Sequence, residues 1–488
     1  MSDFYGVRFR EVPTSLLAPV RVNASLLMAF GTAPIHRLSP EQQEKVKPGS
    51  LVLAFSNAEA SQQLGIDGAR DDTKKWGLSE VAYNKFSLFS QAPVIFANLF
   101  DPAVHNRNIT GEVVTFDVNV GMLANDDLIG DLALSSSGTT FVEGTDYYLN
   151  RVTGMIEAID GSSLSTAITS GSNPITATYR CAAPDLVTNE DCIGGYDILT
   201  GKTTGLELVE QAFPEFRMVP GILYAPNFTH PSVTAVLSAK TENINGVFKA
   251  GIAVANVPDD AVDIYSDLPK WKNENSLVSE NLYLCVGRLI DGERTYNTAV
   301  QAACLMGLVD ARRQVAPYES PSNENLRCQG WMLNGEEVNL SLPQANMLRG
   351  NGISVPLNFI GGWRLWNSWT AAYPGNSDPK DSLITHRRMM AWYGNGLVMT
   401  YFQTVDSPFN RRMIETIINS EQINLNSLAS AGAIIDGSIS FNEADNPLTD
   451  LMQGFVKFDV KLGLVSPAQR IDFSLEFDPE MLLALFAG

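Results

Sequence analysis

Histidine is nearly missing from this chain of 488 residues: there are four, His36, His105, His230 and His386, none spaced as a metal pair and none in an HExxH helix. Each reads as a surface or capping histidine, so zinc chemistry and histidine base catalysis find no local support. Cysteine is sparse too. Cys181, Cys192, Cys285, Cys304 and Cys328 stand far apart with no CxxC, which excludes a disulfide framework and a thiolate metal site and reads as free buried thiols. Basic residues are outnumbered, 34 Lys plus Arg against 54 Asp plus Glu, for a net charge of -20. A phosphate-binding face needs surplus cations, so no direct nucleic-acid partner is expected. No apolar run approaches the ~20 residues of a membrane span, and the first residues lack a signal-peptide core, so no membrane insertion and a cytosol-like compartment are expected.

Catalytic motifs are missing as well. There is no GxSxG elbow. The nearest approach to a phosphate loop, Gly195 to Gly201 followed by Lys202 and Thr203, holds five residues between its glycines where a Walker A loop has four. The extra residue would misplace the cradling amides, and the segment reads as a turn. Carboxylate pairs such as Asp71-Asp72, Asp126-Asp127 and Asp259-Asp260 are expected in so acidic a chain, the last as caps of a helix after Pro258. No catalytic residue, metal ligand or cofactor is expected.

What is present is a globular composition, 45% apolar with 38 Gly and 25 Pro, in a chain longer than one core organises. Residues 5–12 alternate Tyr5, Val7, Phe9 and Glu11 with Gly6, Arg8, Arg10 and Val12 until Pro13 stops the run. With no hairpin partner nearby, this strand suits pairing at a distance. Strands are predicted over 18–34, 50–56 and 92–100, with helices over 58–64 and 78–89. From 105 to about 205 the chain turns to short β-runs with no helical period, the pattern of an inserted all-β domain built as a small sandwich. Strands over 218–224, 251–257 and 282–290 then alternate with helices from Pro231, near 259–267 and over 298–314, a βαβ arrangement with crossover helices. A loop-rich stretch over 315–350, a strand over 354–366 and helices over 382–393 and 408–429 follow. The predicted fold is therefore an α/β core (mixed sheet with crossover helices), an inserted all-β domain and extended N- and C-terminal β-arms. The expected division is an N-terminal arm 1–18, core 19–104, insert 105–205, core 206–466 and C-terminal arm 467–488.

The C-terminal region carries the strongest pattern. Two alternating runs, 437–441 and 455–465, precede a third in which Ile471, Phe473, Leu475 and Phe477 share one face and Asp472, Ser474, Glu476 and Asp478 the other. Such an apolar strand must be covered by its own sheet edge or by a neighbour's. Arg387-Arg388 and Arg411-Arg412 stand out against the acidic background, either as solvated faces and internal ion pairs or as contacts to an acidic partner. Arms exchanged between copies join subunits end to end, and a heterologous contact that does not close into a ring generates a helical array.

On these residues the chain resembles the tail sheath proteins of contractile phages and related contractile injection systems. The opening Tyr5-Gly-Val-Arg-Phe-Arg-Glu-Val-Pro13 with the strand ending in Gly31-Thr-Ala is similar to the sheath N-terminus. Residues 51–65, the run Val219-Pro-Gly-Ile-Leu-Tyr-Ala-Pro226 and residues 409–477 follow the same family order. Where many relatives have Trp-Gly-x-Arg-Thr, this chain has Trp366-Asn-Ser-Trp369-Thr370. The resemblance implies a structural subunit with no enzymatic activity, stacked helically around an inner tail tube protein and bounded by baseplate and tail terminator proteins. It also implies a virion-tail location after assembly in the host bacterial cytoplasm, with the insert on the outer surface and contraction driving the tube into a target envelope. Val7, Arg8, Phe9, Arg10, Ile471, Asp472, Phe473, Leu475, Glu476 and Phe477 would then link subunits, and Arg387, Arg388, Arg411 and Arg412 are candidate tube contacts. An α/β enzyme with an appended β domain, or another virion subunit such as a tube, baseplate or capsid protein, are the alternatives.

Overall fold

Continuous apolar runs such as Val94-Ile-Phe-Ala-Asn98 are stable only where both faces of a sheet are covered, and the computed structural model places them so. It describes residues 18–481 apart from 69, 172, 200, 314 and 315. The N-terminal arm residues Val7, Arg8, Phe9 and Arg10 lie outside the described residues.

The central sheet uses β1 (Leu27–Gly31), β2 (Leu51–Ala54), β3 (Val94–Asn98), β4 (Ile222–Tyr224), β5 (Ile252–Asn256), β6 (Leu282–Cys285), β7 (Ile353–Phe359) and β8 (Gly362–Trp366). Their order is β2-β3-β1-β4-β5-β6-β7-β8. The six inner strands run parallel, and the two edge strands, β2 and β8, run antiparallel to their neighbours. Helices α1 (Pro231–Lys240), α2 (Thr298–Arg312), α3 (Ile384–Tyr401) and α4 (Arg411–Ser430) are the long ones. Almost every residue of α2 is buried, as expected of a crossover helix inside a core. Among the described residues no helix is long and apolar enough to cross a membrane.

Between β3 and β4 the chain forms two four-stranded sheets over residues 106–182 with an apolar cluster of their own, centred on Leu134, Tyr147, Ile156, Leu164 and Ala177. This stretch is not wholly β. A helix, Ser163–Ser170, is started by the Ser162 hydroxyl accepting from Ser165 N and stopped by Gly171 in the left-handed region. Leu164, Ala167 and Ile168 bring one side of it onto the cluster. Polar Ser and Thr hide that short periodicity in the sequence.

Four other expectations change for identifiable reasons. The run 282–290 is two strands, because Gly287 at φ 72° turns the chain so that Arg288–Asp291 joins a separate sheet. A Cβ at Gly287 would lie 2.3 Å from Trp331 Nε1, so only glycine fits. The run 354–366 is the β7–β8 hairpin, turned at Gly361 and Gly362. The helix placed near 259–267 begins later, at Leu268–Glu274, where Pro269 occupies the first turn, so Asp259 and Asp260 stand too far upstream to cap it. Helix α3 does not stop at Tyr393 but continues through Gly394 and Gly396 to Tyr401. Residues 19–24 cross it there, and a Cβ on Gly396 would meet Val20 O at 3.1 Å.

One buried acid gives the core a pH dependence. Glu80 Oε1 accepts from Asn297 N at 2.8 Å and Oε2 from Asn297 Nδ2 at 3.0 Å. Burial pushes its pKa up to about 7 from 4.5, against the pull of Arg288 and these hydrogen bonds. Between the two values the folded chain holds a proton that the unfolded chain has lost, so stability falls as pH rises through that window, by up to roughly 3 kcal/mol. Denaturant titrations of wild type and Glu80→Gln at pH 4.5 and pH 8 should show the variant gaining on wild type at the higher pH.

Candidate functional site

Both ends of the described chain are rooted on one helix, α3. On one side Val20 N donates to Thr400 Oγ1 at 2.9 Å, Trp392 Nε1 donates to Val22 O at 2.8 Å, and Arg388 Nη2 donates to Ala24 O at 3.2 Å. On the other side His386, near the start of α3, lies against the root of the C-terminal segment. Its Nε2 is 3.3 Å from Val465 O and its Nδ1 is 2.9 Å from Pro379 O. Helix α4 is tied to α3 by Glu421, which accepts from Tyr393 OH at 2.6 Å and Tyr401 OH at 3.0 Å.

On α4 lies a small antiparallel sheet of two strands, β9 (Ile434–Ser440) and β10 (Asp459–Leu464). Gly437 lets β9 approach closely, since a Cβ there would stand 2.8 Å from Leu425 Cδ2. Gln422 donates to Gly437 O at 3.0 Å and accepts from Ile439 N at 3.3 Å. Val460, Leu462 and Leu464 of β10 face α3 without reaching it fully. Two open apolar grooves remain. One of about 470 Å³ is lined by Met390, Tyr393, Leu397, Leu462 and Leu464, and one of about 840 Å³ by Leu397, Tyr401, Phe409, Met413, Phe455 and Phe458. Among the described residues β10 has no strand on its other edge.

Beyond Val465 the chain pairs with no strand among the described residues. Ile471, Phe473, Leu475 and Phe477 are 69%, 86%, 98% and 80% exposed. Asp472 and Glu476 are exposed beside them, Asp472 paired with its near neighbour Arg470 at 2.8 Å. Exposure of four large side chains in one alternating row is far from the isolated apolar residues that any surface carries.

The four singled-out arginines separate into two kinds. Arg388 is no surface residue: it is 1% exposed and ion-paired to the fully buried Asp310 of α2. Arg387 is half-buried, paired with Asp381 at 3.2 Å and donating to Asn281 Oδ1. Both are engaged internally in the single chain, as the internal ion pairs that were one of the two readings of these arginines. Arg411 and Arg412 are exposed in the first turn of α4, where Arg411 meets the exposed Glu415 one turn on at 2.8 Å. The loop before them exposes Phe402 and Val405.

Sequence reasoning missed Asp127 by counting it with the acidic background. It is buried in the junction between residues 106–182 and the central sheet, where it accepts from Arg37 Nη2 at 2.7 Å, Lys75 Nζ at 2.9 Å and Trp76 Nε1 at 2.9 Å. His36 Nε2 lies 3.3 Å away, its side chain 3% exposed and stacked on Trp76, so it too is not a surface histidine. Burial alone would raise the Asp127 pKa, but the His36 hydrogen bond and the Arg37 and Lys75 charges hold it well below the usual carboxylate range. No spacing in the sequence announces this cluster, because its members come from three distant segments.

No family model matches the sequence. The chain is similar along its length to a tail sheath protein of Burkholderia phage BcepMu, 28% identical over 511 residues that cover 99% of this chain and 98% of that one. A putative prophage major tail sheath protein of Pseudomonas aeruginosa strain UCBPP-PA14 aligns at 22% identity over 59% of this chain and 73% of its own length. Among solved structures, the contracted helical sheath of the anti-feeding prophage superposes with TM-score 0.57 at 14% identity, covering 98% of this chain and 100% of that one. The contracted sheath complex of an extracellular contractile injection system, PVC, gives 0.57 at 12% identity with 99% of both covered. These two likenesses are of fold.

The two kinds of arginine should respond differently to truncation. Arg388→Ala leaves Asp310 buried and unpaired and should cost about 3–5 kcal/mol, whereas Arg411→Ala should stay within about 0.5 kcal/mol. Urea unfolding of the two variants makes the comparison.

Proposed function

We propose that this chain, which belongs to the tail sheath protein family of contractile phages and related injection systems, is the repeating subunit of a contractile tail sheath wound helically around an inner tube. The observation that carries the assembly side of this reading is the row Ile471, Phe473, Leu475 and Phe477, uncovered among the described residues, on the same molecule as a β10 edge with no described strand beside it and two open apolar grooves. A segment too apolar for water and a sheet short of a strand fit each other, and in the assembly each segment would pair with the edge of a neighbouring copy.

The energetics favour a lattice over a pair. About six ladder bonds at a net ~1 kcal/mol each, with four apolar side chains at roughly 1.5–3 kcal/mol apiece, stand against an ordering cost of about 1–2 kcal/mol for each of some seven residues. One arm is marginal, and repeated arms are not. The N-terminal arm, residues 1–18, would join the same augmented sheet, with Arg8 and Arg10 set against Asp472 and Glu476. The body between the arms, 19–104 with 206–466, acts as a rigid block, and residues 105–205 form an inserted domain on the outer surface.

Arg411 and Arg412, with Phe402 and Val405 beside them, are the candidate contacts to an acidic inner tube. Baseplate and tail terminator proteins would close the two ends of the sheath, which places the chain in a virion tail or related injection machine assembled in the bacterial cytoplasm. Contraction is then a rearrangement of blocks whose arms stay hooked, from an extended state held by the tube and baseplate. The energy is stored at assembly, so the reading is of a structural protein that uses no cofactor.

Electron microscopy of negatively stained, purified protein should show hollow cylinders. Phe473→Asp with Phe477→Asp, or Arg8→Glu with Arg10→Glu, should leave folded subunits that do not polymerise. Cylinders indistinguishable from wild type in both variants would refute the arm linkage. Neutralising Arg411 and Arg412 should weaken co-sedimentation with tube while sheath self-assembly persists, and unchanged co-sedimentation would remove them from the tube interface.

A further inference from the structure

Arg349 ends the helix Leu342–Arg349 beside the root of the C-terminal segment. Its guanidinium carbon lies 5.4 Å from the Trp366 ring centroid, and Nη2 donates to Ser368 Oγ at 3.2 Å and Gln469 Oε1 at 3.4 Å. Its Nε is buried with no hydrogen-bond partner among the described residues. Two tyrosines, Tyr283 and Tyr373, are the titratable groups that act on it, and it forms no ion pair with a carboxylate among the described residues. Burial pulls its pKa below the ordinary guanidinium value. Arg312 and Arg313 are shifted the other way, by their hydrogen bonds to Glu324 and Glu319.

A half-buried cation without an anion among the described residues is a cost to the lone subunit, only partly met by the helix C-terminus it sits on. Its planar fork, stacked on an indole face, matches a carboxylate. Anions are in excess in this chain, 54 acidic residues against 34 basic, and the exposed segment leaving past Gln469 carries Glu476, Asp478 and Glu480. We propose that Arg349, stacked on Trp366, is the receptor for an Asp or Glu side chain of a second copy of this chain. The inference rests on the self-assembly reading above, because the segment that would bring copies together starts at this arginine.

The test uses full-length Arg349→Lys, checked for a wild-type melting temperature, assembled from an equal mixture of ¹⁴N- and ¹⁵N-labelled subunits and treated with a carbodiimide. Mass spectrometry should find the introduced amine joined through an amide to an Asp or Glu peptide of the opposite isotope. Cylinders in which that amine is joined only within its own copy, or not at all, overturn the proposal while leaving sheath assembly intact. Absence of any polymer from wild-type protein overturns the assembly reading and this inference with it. As a second measure, Arg349→Met should raise the critical concentration for assembly about tenfold, while its subunit melts no lower than wild type. An unchanged critical concentration counts against the receptor role.

Discussion

Helix α3 is held in place by one ion pair from which water is excluded, and both ends of the described chain hang on that helix. Arg388 meets Asp310 inside the core, and the same guanidinium donates to Ala24 O where the N-terminal strap crosses. A buried pair is weak evidence for net stability, since desolvating two charges offsets most of their attraction. Its value here is positional. Any slide of α3 along α2 would separate the charges and strip a backbone carbonyl of its donor in the same step. Trp392 and Thr400 repeat the constraint at two further turns.

That constraint explains how the two ends of a long chain come to share a site. The strap occupies one side of α3, while His386 and the β10 grooves occupy the other. Pull on either end would be delivered to the same helix and, through Arg388, to α2. An apolar edge unpaired among the described residues is an aggregation hazard, and this one carries Asp472, Glu476 and Asp478 on its other face, on a chain of net charge -20. Mutual repulsion opposes indiscriminate association, leaving contacts that bring a cation, such as Arg349, at an advantage.

Asp127 plays a comparable part at the other junction. Three cationic or polarisable partners and an indole N–H converge on a single carboxylate, so residues 106–182 meet the central sheet through a fixed polar anchor as well as through apolar packing. Leu128 and Cys181, both within residues 106–182, form a β-bridge that fixes the loop carrying Asp127.

The linear chain was enough to determine the kind of fold and the alternating apolar row over 471–477. Uninterrupted apolar strands at β3 and β5, crossover helices between them and an alternating C-terminal run are local patterns, and local periodicity survives folding because it reflects which faces will be buried. Tertiary structure alone decided which polar residues matter. Arg388 and Arg412 look alike as neighbours of a second arginine in a helical segment, yet one meets Asp310, 78 residues earlier in the chain, and the other meets solvent. Asp127, His36, Gly287 and the continuation of α3 past Gly396 were illegible for the same reason. Each is set by an atom distant in sequence, whose closeness exists only after the backbone has closed around it.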